Sequence, residues 1–236
     1  MNGLFITGTD TGVGKTTVAA AIVRQLRQQG CRVSVRKPVA TGAAWVEGRW
    51  LAEDTVRLAA ACGYADCLER ITGWAFPEPA APPVAARLHG VTLNLDEIQR
   101  FVGGGVARDE VVVVEGVGGL LCPLTERETV ADLAVRLGWA LVVVVRRGLG
   151  TLNHTLLTLE AAQNRGLPVA GVVVNETAPV WGLADETNVE ELRRRICVPI
   201  LAVVPYQVEE KAGPIPAALA AVDWPRLSRR AKDRGD

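Results

Sequence analysis

The densest chemistry in this chain lies at residues 8–17, Gly-Thr-Asp-Thr-Gly-Val-Gly-Lys-Thr-Thr. The stretch follows a short apolar run, Leu4-Phe5-Ile6, and precedes an alanine-rich helical pattern from Val18 to Gln28. Between a strand and a helix, a Gly-Lys-Thr loop becomes a cradle for phosphate. Gly12 and Gly14 let backbone N–H groups turn inward, and the helix opening near Lys15 presents the positive end of its dipole. Lys15 adds a full charge, and Thr16 is placed to offer its hydroxyl to Mg2+ on the bound phosphates. The spacing departs from Gly-x4-Gly-Lys-Thr: position 9 is Thr9, so the match is Gly8-x5-Gly14 and the loop is one residue longer. The bland alternative is a glycine-rich turn capped by Thr11.

Further candidates stand where apolar runs stop. Lys37 follows the run 33–36 and is locked by Pro38. It reads either as a second cation for a transferred phosphoryl group or as a solvated strand-end lysine. Asp54 heads a helical pattern, where a first-turn acid also supports the helix dipole. Glu115 ends the valine run 111–114 and precedes Gly116-Val117-Gly118-Gly119, a position suited to a carboxylate that holds or orients Mg2+. Thr16, Asp54 and Glu115 would then converge on one ion, a hydroxyl and two carboxylates, with places left for phosphate oxygens and water.

The run 141–145 ends in Arg146-Arg147, followed by Gly148-Leu149-Gly150-Thr151-Leu152-Asn153-His154. A helix starting at Thr151 offers free N–H groups to a carboxylate or phosphate, unless it is simply a capped helix. Asn175 ends the run 170–174; its amide donates and accepts together, which suits a nucleobase edge and equally an Asx turn.

The elements that must carry these residues alternate. Strand-like runs fall at 4–7, 33–36, 111–114, 141–145, 170–174 and 200–204, and amphipathic helical patterns near 15–29, 51–62, 94–102, 129–137, 151–165 and 186–196. Continuous apolar strands rather than alternating ones indicate a parallel sheet covered on both faces. The rhythm predicts one α/β domain, a doubly wound, mostly parallel sheet with helices on both faces, spanning residues 1–225. Ligands in such sheets gather at the carboxyl ends of the strands, where the candidates above lie. The proline-bearing stretch 72–90 reads as a long surface excursion over the sheet, in a position to line a pocket. Residues 226–236 read as a basic, mobile tail.

Lys and Arg number 26 against 26 Asp and Glu, so the basic excess of a nucleic-acid binder is absent. No apolar run reaches the roughly eighteen residues of a membrane helix, and Met1-Asn2-Gly3 leaves no room for a signal peptide before the first strand. A cytosolic protein is the expectation. Five scattered cysteines with only His89 and His154 give no metal-ligand spacing.

Taken together and in order, these motifs resemble the dethiobiotin synthetases, ATP-dependent carboxylases of biotin biosynthesis. The resemblance spans residues 3–211. It rests on Gly-Thr-Asp-Thr-x-Val-Gly-Lys-Thr at 8–16, Lys37-Pro38-Val39 with Thr41-Gly42, and Asp54. It continues through Phe76-Pro77-Glu78-Pro79 with Pro82, Val114–Leu120, Leu149–His154, and Asn175. It implies a fold of the P-loop NTPase type with ATP as co-substrate and Mg2+ as metal. The implied substrate is 7,8-diaminononanoate: one amine takes up CO2 as a carbamate, ATP phosphorylates it, and the second amine closes a ureido ring. By the same resemblance Gly12, Val13, Gly14, Lys15, Thr16 and Thr17 hold the phosphates. Asp54, Glu115, Gly116, Val117 and Gly118 complete the ATP site, with Asn175, Glu176, Val204, Pro205 and Tyr206 around the base. Thr16, Asp54 and Glu115 hold the metal, Lys37, Lys15 and Thr11 are catalytic, and Thr11 and Thr41 meet the carbamate. Leu149, Gly150, Thr151, Leu152 and Asn153 would receive the substrate's carboxylate across the interface of a homodimer.

Two positions depart from the pattern. Gly12 stands where some members carry glutamate, and Arg146-Arg147 read as surface arginines or as added charge for the substrate carboxylate. Alternatives are a ParA- or MinD-like ATPase switch and the ATP domain of a cobyrinate-type amidoligase. The switch would need a lysine where this chain has Asp10, and the amidoligase a glutaminase domain for which the chain leaves no space after residue 205.

Overall fold

The computed structural model describes residues 1–63, 67–179, 182–206 and 215–229. Its centre is a parallel sheet of six strands: β1 (Asn2–Gly8), β2 (Val33–Arg36), β7 (Val111–Glu115), β8 (Ala140–Arg146), β9 (Val169–Asn175) and β10 (Ile200–Val204). Their spatial order is β10-β9-β8-β1-β7-β2. The chain leaves β1 for the edge at β2, returns through β7, and crosses to β8 on the other side of β1. That reversal puts the mouth of β1 beside the mouths of β7 and β8, the switch point where open α/β sheets bind ligands.

Because successive strand residues face opposite sides, each valine run serves two cores. Leu4, Ile6, Val111, Val113, Val142 and Val144 pack with α1 (Lys15–Gln28) and α2 (Glu53–Cys62) on one face. Phe5, Val112, Val114, Leu141, Val143 and Val145 pack on the other with α4 (Leu95–Gly103), α5 (Val130–Leu137) and α7 (Leu183–Arg195). Ala162 of α6 (Thr151–Asn164) joins that second face. The doubly wound parallel sheet expected from the sequence is therefore present.

Smaller elements differ from the expectation. The stretch 72–90 is not irregular throughout: β6 (Trp74–Phe76) pairs in parallel with β3 (Val39–Thr41), and α3 (Pro82–Leu88) follows. Pro82 starts that helix, where its missing N–H costs nothing and its fixed φ suits the first turn. A hairpin of β4 (Ala44–Val46) and β5 (Arg49–Leu51) precedes α2, so the helix begins at Glu53 instead of residue 51. Its two-residue loop has positive φ at both Glu47 (47°) and Gly48 (84°), the geometry that follows strand twist. Near the end, α8 (Ala217–Ala220) and α9 (Trp224–Ser228) pack on the α1 side, with Trp224 fully buried. Helical structure thus runs three residues past the boundary expected at 225, because Leu227 and Ser228 turn inward with it. Residues 230–236 of the expected tail lie outside the described residues.

Candidate active site

The site assembles at the mouths of β1, β2 and β7. Gly14, in the left-handed region at φ 90°, caps α1 without any side-chain cap bond, so the first N–H groups of the helix remain available to an anion. Gly14 is required for a second reason: a Cβ there would lie 2.1 Å from the Asn175 amide nitrogen. That amide donates to Val13 O at 3.0 Å. Asn175, buried at the end of β9, therefore holds the glycine loop from two strands away, across β8, a contact that its reading as a nucleobase partner alone did not anticipate. On the far side, Gly119 lies against the loop, where a Cβ would meet Thr9 O at an ordinary contact distance of 3.4 Å. The turn after Glu115 thus closes against the loop after β1.

Thr16, Lys37, Asp54 and Glu115, drawn from four separate segments, form one network. Thr16 Oγ1 lies 2.7 Å from Asp54 Oδ1 and 2.9 Å from Glu115 Oε1. Lys37 Nζ pairs with Glu115 Oε1 at 2.6 Å and Asp54 Oδ2 at 2.9 Å, and donates to Gly116 O at 3.2 Å. Glu115 and Lys37 are buried (side chains 0% and 4% exposed), whereas Asp54 is 39% exposed and forms the open side of the cluster. Burial disfavours the Lys37 charge, but the carboxylates of Glu115 and Asp54 outweigh it and raise its pKa. Asp54 mirrors this: burial opposes its charge, and the Lys37 ammonium and the Thr16 hydroxyl hold its pKa below the usual carboxylate range.

Lys15 lies beside this group, its Nζ donating to Asp10 O at 2.7 Å. Burial and then the nearby Lys37 ammonium pull its pKa down to about 8, so an anion laid against the loop would restore its full charge. The cluster also fits a hard divalent cation. Its donors are a hydroxyl and two carboxylates, the oxygen set such an ion takes. Glu115 Oε2 is buried without a hydrogen-bond partner, an acceptor left open inside the cluster. Among the described residues no group of three or more His, Cys, Asp and Glu side chains forms a separate metal site.

The remaining candidates are placed as follows. Thr11 is exposed, its N–H bonded to Asp10 Oδ1. Thr41 ends β3, half-buried and outside the Lys37 network. Gly150, at φ 90°, starts α6 without a side-chain cap bond, as Gly14 starts α1. Thr151 is buried there with its Oγ1 unpartnered, and it shares a small hollow with Thr9, Asp10, Val13, Arg146 and His154. The start of α6 and the glycine loop therefore meet within one chain. Leu149 and Asn153 are exposed and Leu152 is half-buried. Val117 is half-buried beside Glu115 and Gly116. Glu176 N donates to Val204 O, and Tyr206 N to Glu176 Oε2, both at 3.0 Å, which ties the residues after β9 to the turn at Pro205.

Two contacts escaped the sequence reading. Arg57 of α2 donates to Thr17 Oγ1 at 2.8 Å, and Arg147 binds Glu176. The first has no sequence signal, since Arg57 sits in mid-helix. Arg147 stands just past the end of β8, where strand-end residues merit attention.

Known proteins resemble this chain in both sequence and fold. A family model described as "AAA domain" matches residues 2–211. The ATP-dependent dethiobiotin synthetase BioD of Anaeromyxobacter dehalogenans (strain 2CP-C) is 44% identical, over 94% of this chain and 98% of its own length. The synthetase of Anaeromyxobacter sp. (strain Fw109-5) is 51% identical over 82% of this chain and 85% of its own. Among solved structures, the MinD cell division protein of Aquifex aeolicus superposes with a TM-score of 0.51 at 16% identity, covering 93% of this chain and 94% of its own. A ParA family ATPase from Chlorobium tepidum TLS gives 0.51 at 13%, covering 88% and 85%. Those two likenesses establish the fold, whereas the identities over nearly whole chains establish the family: this chain belongs to the ATP-dependent dethiobiotin synthetases.

Proposed function

We propose that this protein converts 7,8-diaminononanoate, CO2 and ATP into dethiobiotin, ADP and phosphate. The observation that carries the reading is Lys37, an ammonium gripped by Asp54 and Glu115 in one network with the loop hydroxyl of Thr16. A nucleotide site alone needs no such second buried lysine; a phosphoryl acceptor bearing its own negative charge does. One amine of the substrate attacks CO2 and loses a proton, giving a carbamate. A carbamate oxygen then attacks the γ-phosphorus of ATP and ADP leaves. Phosphorylation is needed because the carbamate carbon is fed by its nitrogen and oxygens and resists attack. The second amine adds to that carbon, phosphate departs, and the five-membered ureido ring is closed.

In this scheme the loop N–H groups at Gly12–Thr17 and the Lys15 ammonium bind the β- and γ-phosphates. Thr11 and Thr41 orient the carbamate, and the α6 start at Gly150–Asn153 with Leu149 takes the carboxylate. Thr16, Asp54 and Glu115 would hold Mg2+, which when bound offsets charge on the triphosphate. With both acids engaged by the ion, Lys37 would be free to set its ammonium against the oxygens gathered between γ-phosphate and carbamate. Asn175, Glu176 and the Val204-Pro205-Tyr206 turn flank the base, beside Gly116, Val117 and Gly118. The working form is a homodimer in the cytoplasm; in support of the dimer, Leu149 just before α6 and Leu156 and Leu157 within it are exposed.

Coupling tests the reading. ADP release should require both the diamine and bicarbonate, each alone giving only background hydrolysis. Rapid hydrolysis with neither present would instead make the site an ATPase switch.

A further inference from the structure

Arg147 does not behave as a surface arginine. Its Nη1 donates to Glu176 Oε1 at 2.5 Å and its Nε to Asp185 O of α7 at 2.6 Å. The Arg147 and Glu176 side chains are only 19% and 12% exposed. The second Glu176 oxygen, Oε2, accepts from Tyr206 N at 3.0 Å. Backbone bonds run alongside, Arg147 N to Asn175 O and Glu176 N to Val204 O, each at 3.0 Å. One carboxylate thus bridges the end of β8 to the turn after β10, and both of its oxygens are engaged. Asn175, the residue before Glu176, meanwhile grips the phosphate loop at Val13.

We infer that Arg147 is a positioning residue for the nucleobase, acting through Glu176 to fix the Val204–Tyr206 turn against the phosphate loop. The inference rests on the assignment of that turn to the base. Its chemistry is one of charge and shape. A planar guanidinium holds a carboxylate in one orientation, and a half-free carboxylate would rotate toward water. With Arg147 gone, Glu176 is left nearly buried and unpaired, and the Tyr206 N–H loses its anchored acceptor. The phosphate-binding N–H groups of α1 do not depend on this bridge. Loss of Arg147 should therefore weaken ATP while sparing a ligand that has phosphates and no base.

The test is calorimetric titration of the full chain with MgATP and with magnesium tripolyphosphate. Arg147→Ala should raise the Kd of ATP about tenfold, with the tripolyphosphate Kd changed by less than about twofold. Arg147→Lys, which keeps a charge opposite Glu176, should recover most of the loss. If Arg147→Ala does not fold, Glu176→Gln and Arg147→Lys must show the same preference for ATP loss at smaller amplitude. Equal weakening of both ligands, or none, overturns the inference. Lys15→Ala separates that failure from failure of the nucleotide reading, because it must weaken both ligands together. Should it affect neither, the nucleotide assignment falls as well.

Discussion

At the scale of single residues, the account turns on Lys37. Its ammonium neutralises two acids, one of them fully buried, so the group proposed for the chemistry also serves the fold. Lys37→Gln removes that charge and leaves Glu115 buried without a counter-ion, an arrangement that costs about 3–5 kcal/mol when a pair is broken. Two outcomes follow together. Product formation should drop by at least about a hundredfold, the usual loss when a charge-stabilising donor is removed, with ATP affinity largely kept. Mg2+ should raise the melting temperature of the variant more than that of the parent, because in the parent the ion competes with the ammonium for Asp54 and Glu115. Product formation at the parent rate would remove Lys37 from the mechanism, and an equal Mg2+ shift would remove the competition. Lys37, Asp54, Glu115 and Thr16 were legible in the sequence because each sits at a strand end or helix start, where position alone implies orientation. Arg147 was not, since its role depends on Glu176 and Tyr206, whose proximity only the sheet order creates.

Among the elements, the six strands of the central sheet were readable because burial on both faces leaves near-continuous apolar runs, mostly valine, along them. The hairpin 44–51 was not: its strands are three residues long, its loop is Glu47-Gly48, and Trp45 and Trp50 are exposed and stacked edge to face. The proline stretch misled for a different reason, since Pro82 and Pro83 mark a helix start there. Packing of α2 against β2 makes a further prediction. Cys62 closes that helix, and its thiol donates to Val33 O at 3.2 Å. Burial pushes its pKa up to about 11, so at pH 8 only about one thiol in a thousand is ionised. Iodoacetamide at that pH should label exposed Cys197 readily and spare Cys62 in the folded chain. Above the ordinary thiol value the unfolded chain loses this proton and the folded chain keeps it. The contribution of Cys62 is thus intact below that value and lost as pH rises toward 11. Rapid labelling of Cys62 at pH 8 would contradict this packing.

For the molecule as a whole, the site belongs to the crossing at β1, and the exposed leucines of α6 belong to the proposed subunit contact. Leu157, 56% exposed, is the clearest probe of that contact. Leu157→Glu should halve the mass seen by sedimentation while leaving the far-ultraviolet spectrum unchanged; a parent chain that sediments as a monomer would refute the dimer. A ParA family ATPase and a MinD cell division protein share this fold, so the fold by itself selects no reaction. What separates a synthetase from a switch is a product. The most direct measurement is mass spectrometry of a mixture of the protein with 7,8-diaminononanoate, ATP, Mg2+ and carbon-labelled bicarbonate. The account predicts a new species equal to the diamine plus one labelled carbonyl less two hydrogens, formed one for one with ADP. ADP appearing without that species, or the species appearing without label, would contradict it.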